Sequence, residues 1–339
     1  MATTTQKYQT MYDLAQELGS DGKTLLPFVE IAAETNAMIG DMPLIPCNSG
    51  LFHKGVIRNG LPTGAFRKLY GGVPPEKTEK VPVTDTTCML EGFSEVDEAI
   101  AKRSGNVDLF RMREAQGFFE GLSQTASKAL LYGDVDKDPE QFNGLGIRYG
   151  AYGTDKTKSS YNVINGAGSN SDNTSIWLIN WSETTVTGIF PTGARSKIGI
   201  AHDPLPRVAK TLSDNNMMMA LQDHFIFEYG IHVSDWRRVV RIANLKTGNF
   251  ETNNAADLMS LMRKATYRIP GGASNNIKGR IFWYMNADTI CELERQMYAK
   301  NNVHLTINNA DGKPVPTYRG IPIHQVDQIS SAEATCPSA

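Results

Sequence analysis

The sequence predicts an α+β fold, and three observations carry that prediction. Residues 106–132 have one long amphipathic helix pattern, most of the chain beyond them alternates as strands do, and residues 50–90 read as a two-stranded loop without a core. At 339 residues the chain is long enough for about two domains. Its 34 Lys and Arg against 36 Asp and Glu leave a net charge of -2, whereas a free-standing nucleic-acid binder needs a basic surplus to neutralise phosphates. No apolar run approaches the roughly 20 residues of a spanning helix. The start Met1-Ala2-Thr3-Thr4-Thr5-Gln6 lacks the basic-then-apolar order of a secretory signal, so a cytoplasmic product is expected. Cys47, Cys88, Cys291 and Cys336 form no CxxC pair and no cluster with His, so they read as reduced thiols, mostly buried.

The first fifty residues look like helical pieces on an arm. Tyr8, Met11, Leu14, Ala15 and Leu18 make one apolar stripe that Gly19 ends; a second apolar stretch runs from Leu25 to Ile39, and Met42-Pro43-Leu44-Ile45-Pro46 breaks it. Such an arm must bury its apolar side against something else. In residues 50–90, glycines and prolines leave extended runs at 64–70 and 80–90, joined by Gly71-Gly72-Val73-Pro74-Pro75. Charge segregates along this loop. Residues 54–80 carry Lys54, Arg58, Arg67, Lys68, Lys77 and Lys80 against Glu76 and Glu79, a balance of +4. Residues 81–100 carry Asp85, Glu91, Glu95, Asp97 and Glu98 with no Lys or Arg, a balance of −5. Two readings are open: an internal salt-bridge ladder, or a projecting loop that docks on the acidic segment of a neighbouring copy, with opposite potentials fixing the register. The candidate inter-subunit contacts are therefore Arg58, Arg67, Lys68, Lys77, Lys80, Asp85, Glu91, Glu95, Asp97 and Glu98.

The helix expected at 106–132 has Asn106 as its cap, Asp108 in its first turn, Lys128 in its last and Gly133 as its stop. Leu109, Met112, Phe119, Leu122, Ala126 and Ala129 mark its main apolar face, while Phe110, Gly117, Phe118 and Gly121 mark a second. At about 1.5 Å per residue this is a rod of roughly 40 Å, the length of a spine. Strands are expected at 175–181, 186–190, 224–233 and 236–245, then helices at 255–268 and after Asn286, with a strand at 280–285 between them. A ribbon of 303–307 and 315–326 turning at Asp311-Gly312 closes the chain.

Catalytic constellations are thin. Asp134, Asp136 and Asp138 alternate like a calcium loop, but Pro139 replaces the turn glycine and Leu145 the bidentate Glu, so an acidic solvated loop is the better reading. His224 and His232, near Asp223 and Asp235, lack a third ligand and read as satisfied strand histidines; His202-Asp203 before Pro204 reads as a turn pair. Gly166-Ala167-Gly168 lacks the third glycine of a dinucleotide fingerprint. No catalytic, metal-binding or cofactor-binding residue is assigned. Sequons at Asn173 and Asn180 have no role in a chain that meets no secretory machinery.

The order of elements, together with Glu95-Val96-Asp97, Phe142-Asn143-Gly144-Leu145, Asn173 to Trp181 reading NTSIWLINW, and Gly188-Ile189-Phe190-Pro191, resembles the major capsid proteins of tailed bacteriophages with the HK97-type fold. Asp235-Trp236-Arg237, residues 239–244, Tyr284-Met285-Asn286 and Tyr318-Arg319-Gly320-Ile321-Pro322-Ile323 extend the resemblance over nearly the whole chain. It implies an N-terminal arm at 1–49, an extended β-hairpin E-loop at 50–90 and a P-domain at 91–150 with its spine helix. A mixed α/β A-domain at 151–302, meeting its symmetry mates at the capsomer centre, and a terminal ribbon at 303–339 returning to the P-domain complete the scheme. The implied function is a virion shell subunit, assembled in the host bacterial cytoplasm into hexamers and pentamers around packaged double-stranded DNA that it touches weakly. It is not an enzyme and has no cofactor or membrane contact. A separate scaffolding protein is expected, since no charge-rich coiled-coil leader of about 100 residues precedes the arm, and the resemblance also implies a portal, with or without a decoration protein. The other reading is a different phage structural protein, or a β-rich soluble enzyme with an unrecognised site.

Overall fold

The computed structural model describes residues 37–60, 62–169, 171–193, 200–211, 215, 217–252, 254–271, 279–299, 305–310 and 313–339. The expected helical stripe at residues 8–18 and most of the stretch 25–39 lie outside them. The described chain divides into two discontinuous units, one drawn from 35–88, 127–193 and 229–339, the other from 89–126 and 194–228.

The larger unit is organised by β6 (Asn173–Trp181), in which every residue is buried. Its alternation of Ile176 and Leu178 with Trp177, Ile179 and Trp181 supplies apolar groups to both faces, the pattern of a strand covered on two sides. On one side β6 pairs antiparallel with β10 (Val239–Lys246), on the other with β11 (Arg280–Met285). Beyond β10 lies β5 (Val163–Asn165). Beyond β11 lies β14 (Ile321–Gln325), parallel to it. Beyond that come β13 (Lys313–Tyr318) and β12 (Leu305–Ala310). A bridge from Trp181 to Val186 joins β6 to β7 (Val186–Phe190), which also carries β1 (Leu44–Pro46). β1 follows the short helix α1 (Met38–Asp41).

Two helices cover one face of this sheet. The first, α5 (Leu258–Arg268), is capped by Asp257, whose carboxylate accepts from the Ser260 N–H at 3.3 Å; the second, α6 (Ala287–Ala299), is capped by Asn286 with Thr289 N–H at 3.0 Å. Leu258, Met262 and Ala265 of α5 and Leu293 and Met297 of α6 pack with Ile176, Leu178, Val240, Ile242 and Trp283 in one apolar core. At ~1.5–3 kcal/mol per buried large side chain, this core is the main source of the unit's stability. The other face carries polar groups and closes them. Arg241, over the Trp177 ring at 5.1 Å, gives its Nη2 to Glu333 at 2.9 Å and its Nε to the Ser175 hydroxyl at 3.0 Å. Glu333 also accepts from Tyr132 at 2.5 Å and from the Ser175 hydroxyl. The tail bearing Glu333 is held by backbone bonds from Glu333 N–H to Asn173 and between Tyr152 and residues 337 and 339.

In the smaller unit, β4 (Cys88–Asp97) and β8 (Ile200–Thr211) flank β9 (Met217–Val233), whose last residues belong to the larger unit. The helix α2 (Glu98–Arg103) follows β4 and is capped by Asp97, whose carboxylate accepts from Ala99 N–H at 2.7 Å. Then comes α3 (Val107–Tyr132), within one residue of the expected spine, with the Asn106 carbonyl oxygen of its side chain accepting from Leu109 N–H at 3.1 Å. Val96, Ile100, Ala101 and Phe110 form a small core.

Four sequence expectations need correction. The buried positions of α3 begin with Phe110 and Ala115, whereas Leu109, Met112 and Phe119, expected in the core, are exposed, Met112 by 61%. Helical spacing identifies apolar stripes but not which one meets the small core. His202-Asp203 lies on β8 and not in a turn. Pro204 and Pro206 hid that strand, which tolerates them because among the described residues it pairs with β9 alone and its register shifts between Leu205 and Val208. The last strand expected, 315–326, is two strands, because Arg319 and Gly320 both take left-handed φ values of 55° and 77° and turn the chain. The thiols are free as expected, but Cys291 is exposed.

The polar face yields a stability prediction. Glu333→Ala leaves the buried Arg241 guanidinium uncompensated and is expected to cost ~3–5 kcal/mol, read as a lowered urea midpoint with an unchanged slope. Replacing Arg241 and Glu333 together with apolar residues is expected to cost less than Glu333→Ala alone.

Candidate assembly surface

The ribbon is built by β2 (Phe52–Gly60) and β3 (Glu79–Thr86), antiparallel from Phe52 opposite Thr86 to Gly60 opposite Glu79. The first strand therefore lies at 52–60 and not at 64–70. Its signal was present in Phe52, Val56 and Ile57, but prolines and glycines drew the expected strand toward the tip. There Pro62, Pro74 and Pro75 remove donors, and Gly64 and Tyr70 take left-handed φ values of 67° and 62°, so residues 62–78 form no strand. Among the described residues the two strands pair only with each other, so neither face of the ribbon is a packed core.

At its root the ribbon is fastened by a buried polar cluster. Asp85 on β3, 5% exposed, accepts from Arg148 Nη2 of α4 (Leu145–Arg148) at 2.7 Å with one oxygen and from His232 Nδ1 of β9 at 2.6 Å with the other. Burial by itself raises the Asp85 carboxyl, but the His232 hydrogen bond and the Arg148 charge outweigh it and hold the group below the ordinary carboxylate value. His53, the cross-strand neighbour of Asp85, places its ring 4.4 Å from the His232 ring. A side chain at Gly55 would start 2.7–2.8 Å from the His232 ring edge, which only glycine avoids.

At its tip the ribbon is bare. Phe66, Leu69 and Tyr70 are fully exposed, three large apolar groups in a row of five residues. Arg67 turns inward enough to donate from Nε to the Gly71 carbonyl at 2.7 Å. Lys68, Lys77 and Lys80 are exposed, and Arg58 and Lys80 are register partners, which places two basic residue types opposite each other on paired strands. Glu76 serves the tip itself, accepting from Thr63 N–H at 2.8 Å and Gly64 N–H at 3.2 Å.

The acidic candidates are not a common surface. Asp85 is the root anchor just described, and Asp97 is spent as the α2 cap. Glu95 binds Lys210 and accepts from Gln222 at 2.8 Å; Glu98 pairs with Lys102 at 2.7 Å and Arg207 at 2.8 Å. Among the described residues no ion pair joins them to Arg67, Lys68, Lys77 or Lys80, so no salt-bridge ladder links the two charged segments within the chain. Glu91 is the most open of the five. It lies 3.2 Å from His224 Nε2 without hydrogen-bond alignment, and it sits on β4 between the exposed Met89 and Phe93, Phe93 stacking on the His224 ring at 4.1 Å.

Sequence reasoning missed the apolar part of the surface. Met89 and Phe93 on β4, Leu109, Met112, Phe118 and Phe119 on α3, and the tip side chains are all exposed. The alternation at 89, 91 and 93 was visible but read only for charge. Within the smaller unit a cavity of about 390 Å³ opens beside Met112, Ala115, Phe119 and Pro204, walled by Arg111, Asp223 and His202. Asp223 is satisfied there by Arg111 at 2.9 and 3.0 Å and by His202 at 3.0 Å. Among the described residues no group of three His, Cys, Asp or Glu is placed to hold a metal, and no helix is long and apolar enough to cross a membrane.

These features occur on a chain whose residues 19–337 match the family model of major capsid protein GP7. It is similar to a chain in the structure of bacteriophage Epsilon15, with 31% identity, 100% of both chains covered and a TM-score of 0.73. The bacteriophage JBD30 capsid is similar in fold, with a TM-score of 0.50 over 97% of both chains at 10% identity. No curated protein matches. An α+β chain with a bare-tipped ribbon, a spine helix exposed along its apolar side and full-length likeness to phage shell subunits is an HK97-type building block of an icosahedral head: the chain belongs to the GP7 family of major capsid proteins.

Proposed function

We propose that the shell is knitted by the ribbon tip of one copy docking on β4 of the next. Phe66, Leu69 and Tyr70 supply the apolar anchors, Arg67, Lys68, Lys77 and Lys80 with Arg58 supply the steering charge, and the strip Met89, Glu91 and Phe93 receives them. The observation that carries this reading is the tip: three fully exposed large apolar side chains on a ribbon that pairs only with itself. A lone chain gains nothing from holding them in water, whereas burial at a contact contributes ~1.5–3 kcal/mol each before ordering costs. Of the acids, Glu91 takes the receiving role, and Asp85, Glu95, Asp97 and Glu98 act by shaping their own chain.

On this reading residues 1–49 are the arm, 50–90 the E-loop, 91–150 the P-domain, 151–302 the A-domain and 303–339 the returning ribbon. Hexamers and pentamers assemble in the host bacterial cytoplasm, with a separate scaffolding protein, a portal and a decoration protein as partners. A net charge of -2 keeps the wall from gripping packaged DNA, which it meets through many weak contacts. The role is structural and involves no catalysis.

Two variants test the docking. Changing Arg67, Lys68, Lys77 and Lys80 to Glu is expected to raise the concentration needed for particle formation about tenfold or more, equivalent to ~1.4 kcal/mol per contact, while each exposed substitution moves subunit stability by no more than ~0.5 kcal/mol. Sizing, electron microscopy and thermal melting read both quantities; a lowered melting temperature with normal particles refutes the docking. Separately, changing Phe66, Leu69 and Tyr70 to Ser is expected to block particles at physiological salt and at high salt alike, whereas the charge variant loses its effect as salt screens the steering. Normal assembly of the serine variant removes the tip from the interface.

A further inference from the structure

The root cluster holds more titratable groups than a static anchor needs. Asp85 and His53 are cross-strand neighbours, so β2 and β3 both enter the cluster, and His232 of β9 and Arg148 of α4 receive them. His232 donates through Nδ1 to Asp85 and turns its other edge toward Gly55, where the absence of a Cβ lets that edge approach β2. His53 rests on the His232 ring, and its Nδ1 is buried with no hydrogen-bond partner. A proton on that nitrogen would be a buried cationic donor with no acceptor, one ring away from a second imidazole. The groups facing His53 are His232 from β9, Asp85 from β3 and, behind Asp85, Arg148 from α4; Lys54, next on β2, is exposed. Asp85 already answers Arg148 with one oxygen and His232 with the other, and His53 Nδ1 makes no hydrogen bond to it.

We propose that the root of the ribbon is a protonation-controlled latch, closed on β9 and α4 while His53 is neutral and released when His53 takes a proton. Among the described residues the strands of the ribbon pair in a sheet only with each other, with Asn48 and Ser49 bonded to the foot of β2, so release lets the ribbon swing as one piece without breaking its own ladder. The direction follows from the site. Burial first, then the neighbouring His232, push His53 below its ordinary value, against the pull of Asp85. The freed ring therefore binds a proton more readily than the latched one. Latch stability is full above the ordinary imidazole value of about 6.5 and is lost as pH falls below it. Asp85 adds a second step at lower pH: its carboxyl is held below the ordinary value, so its contribution is full above about pH 4 and is lost as the group protonates. The latch belongs to the single chain and does not depend on what the tip contacts.

Hydrogen exchange on the unassembled full-length chain between pH 7.5 and 5.0, expressed as protection factors, tests it. The expected result is that protection of the ribbon peptides 52–60 and 79–86 falls about fivefold or more while that of β6, residues 173–181, holds, and that His53→Gln makes the ribbon's protection independent of pH in this range. Equal pH response in the wild type and His53→Gln overturns the proposal, as does a simultaneous loss of protection in β6, which marks general unfolding. Should His53→Gln fail to fold, exchange at the imidazole C2–H of the wild-type chain decides: His53 titrating below 6.5 supports the latch, and titration at or above it overturns it.

Discussion

A strand with no exposed residue imposes the terms for the rest of the larger unit. β6 is buried along its whole length, so its apolar groups need cover and its polar groups need partners inside the protein, a need that only the Trp177 Nε1–H among the described side chains Ser175, Trp177 and Trp181 leaves unmet. The covers are α5 and α6 on one face. The partners explain features that otherwise look unrelated. Ser175 draws in Arg241 and Glu333, and with Glu333 the tail that carries it. Trp181 gives its Nε1–H to the Tyr284 hydroxyl at 2.8 Å, which in turn donates to Asp41 at 2.7 Å, so α1 is fastened to the sheet through the same strand. His324 closes that chain on the same Asp41 oxygen at 2.6 Å. Distant parts of the sequence are thus joined through one strand's need for satisfied polar groups.

The ribbon follows the opposite economy. Among the described residues its strands pair only with each other, its packing is confined to the root, and it carries its large apolar side chains outward at the tip. A protein that worked alone would be penalised for this, because an exposed contiguous apolar patch invites association. For a shell subunit association is the function, and the exposed side of α3 obeys the same logic. The two ends of the ribbon differ: the root spends buried charge on holding position, and the tip presents apolar and basic side chains to solvent. Placement of the ribbon by four polar side chains is what the proposed protonation-controlled latch rests on.

Much of this was legible in the sequence. Asn106 and Gly133 bracket a helix because a side-chain acceptor and a missing Cβ are local requirements, and the structure ends that helix within one residue of both. The strands of NTSIWLINW and VTGIF declare themselves because continuous apolar runs have few other uses. The resemblance to phage shell proteins rested on the order of such segments. Other features were not legible. β8 was hidden by prolines that only an edge position tolerates, and the turn at Arg319-Gly320 lay inside an otherwise continuous apolar run. The acids at 85–98 looked like one surface by charge count, but their partners, Arg148, Arg207, Lys210 and His232, come from sites 63 to 147 residues along the chain.

By itself the sequence determined most of the segments that become helix or strand, though not β8 or the place of β2, and that the chain carries shell-protein segments in shell-protein order. These follow from local sterics, capping and periodicity, which act within a few residues. Tertiary structure alone decided which apolar stripe of α3 is covered, which acids are spent inside the chain, and that His53 and Asp85 meet His232 and Arg148 at the ribbon's root. Those outcomes depend on burial and on partners brought together by folding, because a carboxylate's role is set by the cations and the dielectric around it and not by its neighbours in sequence.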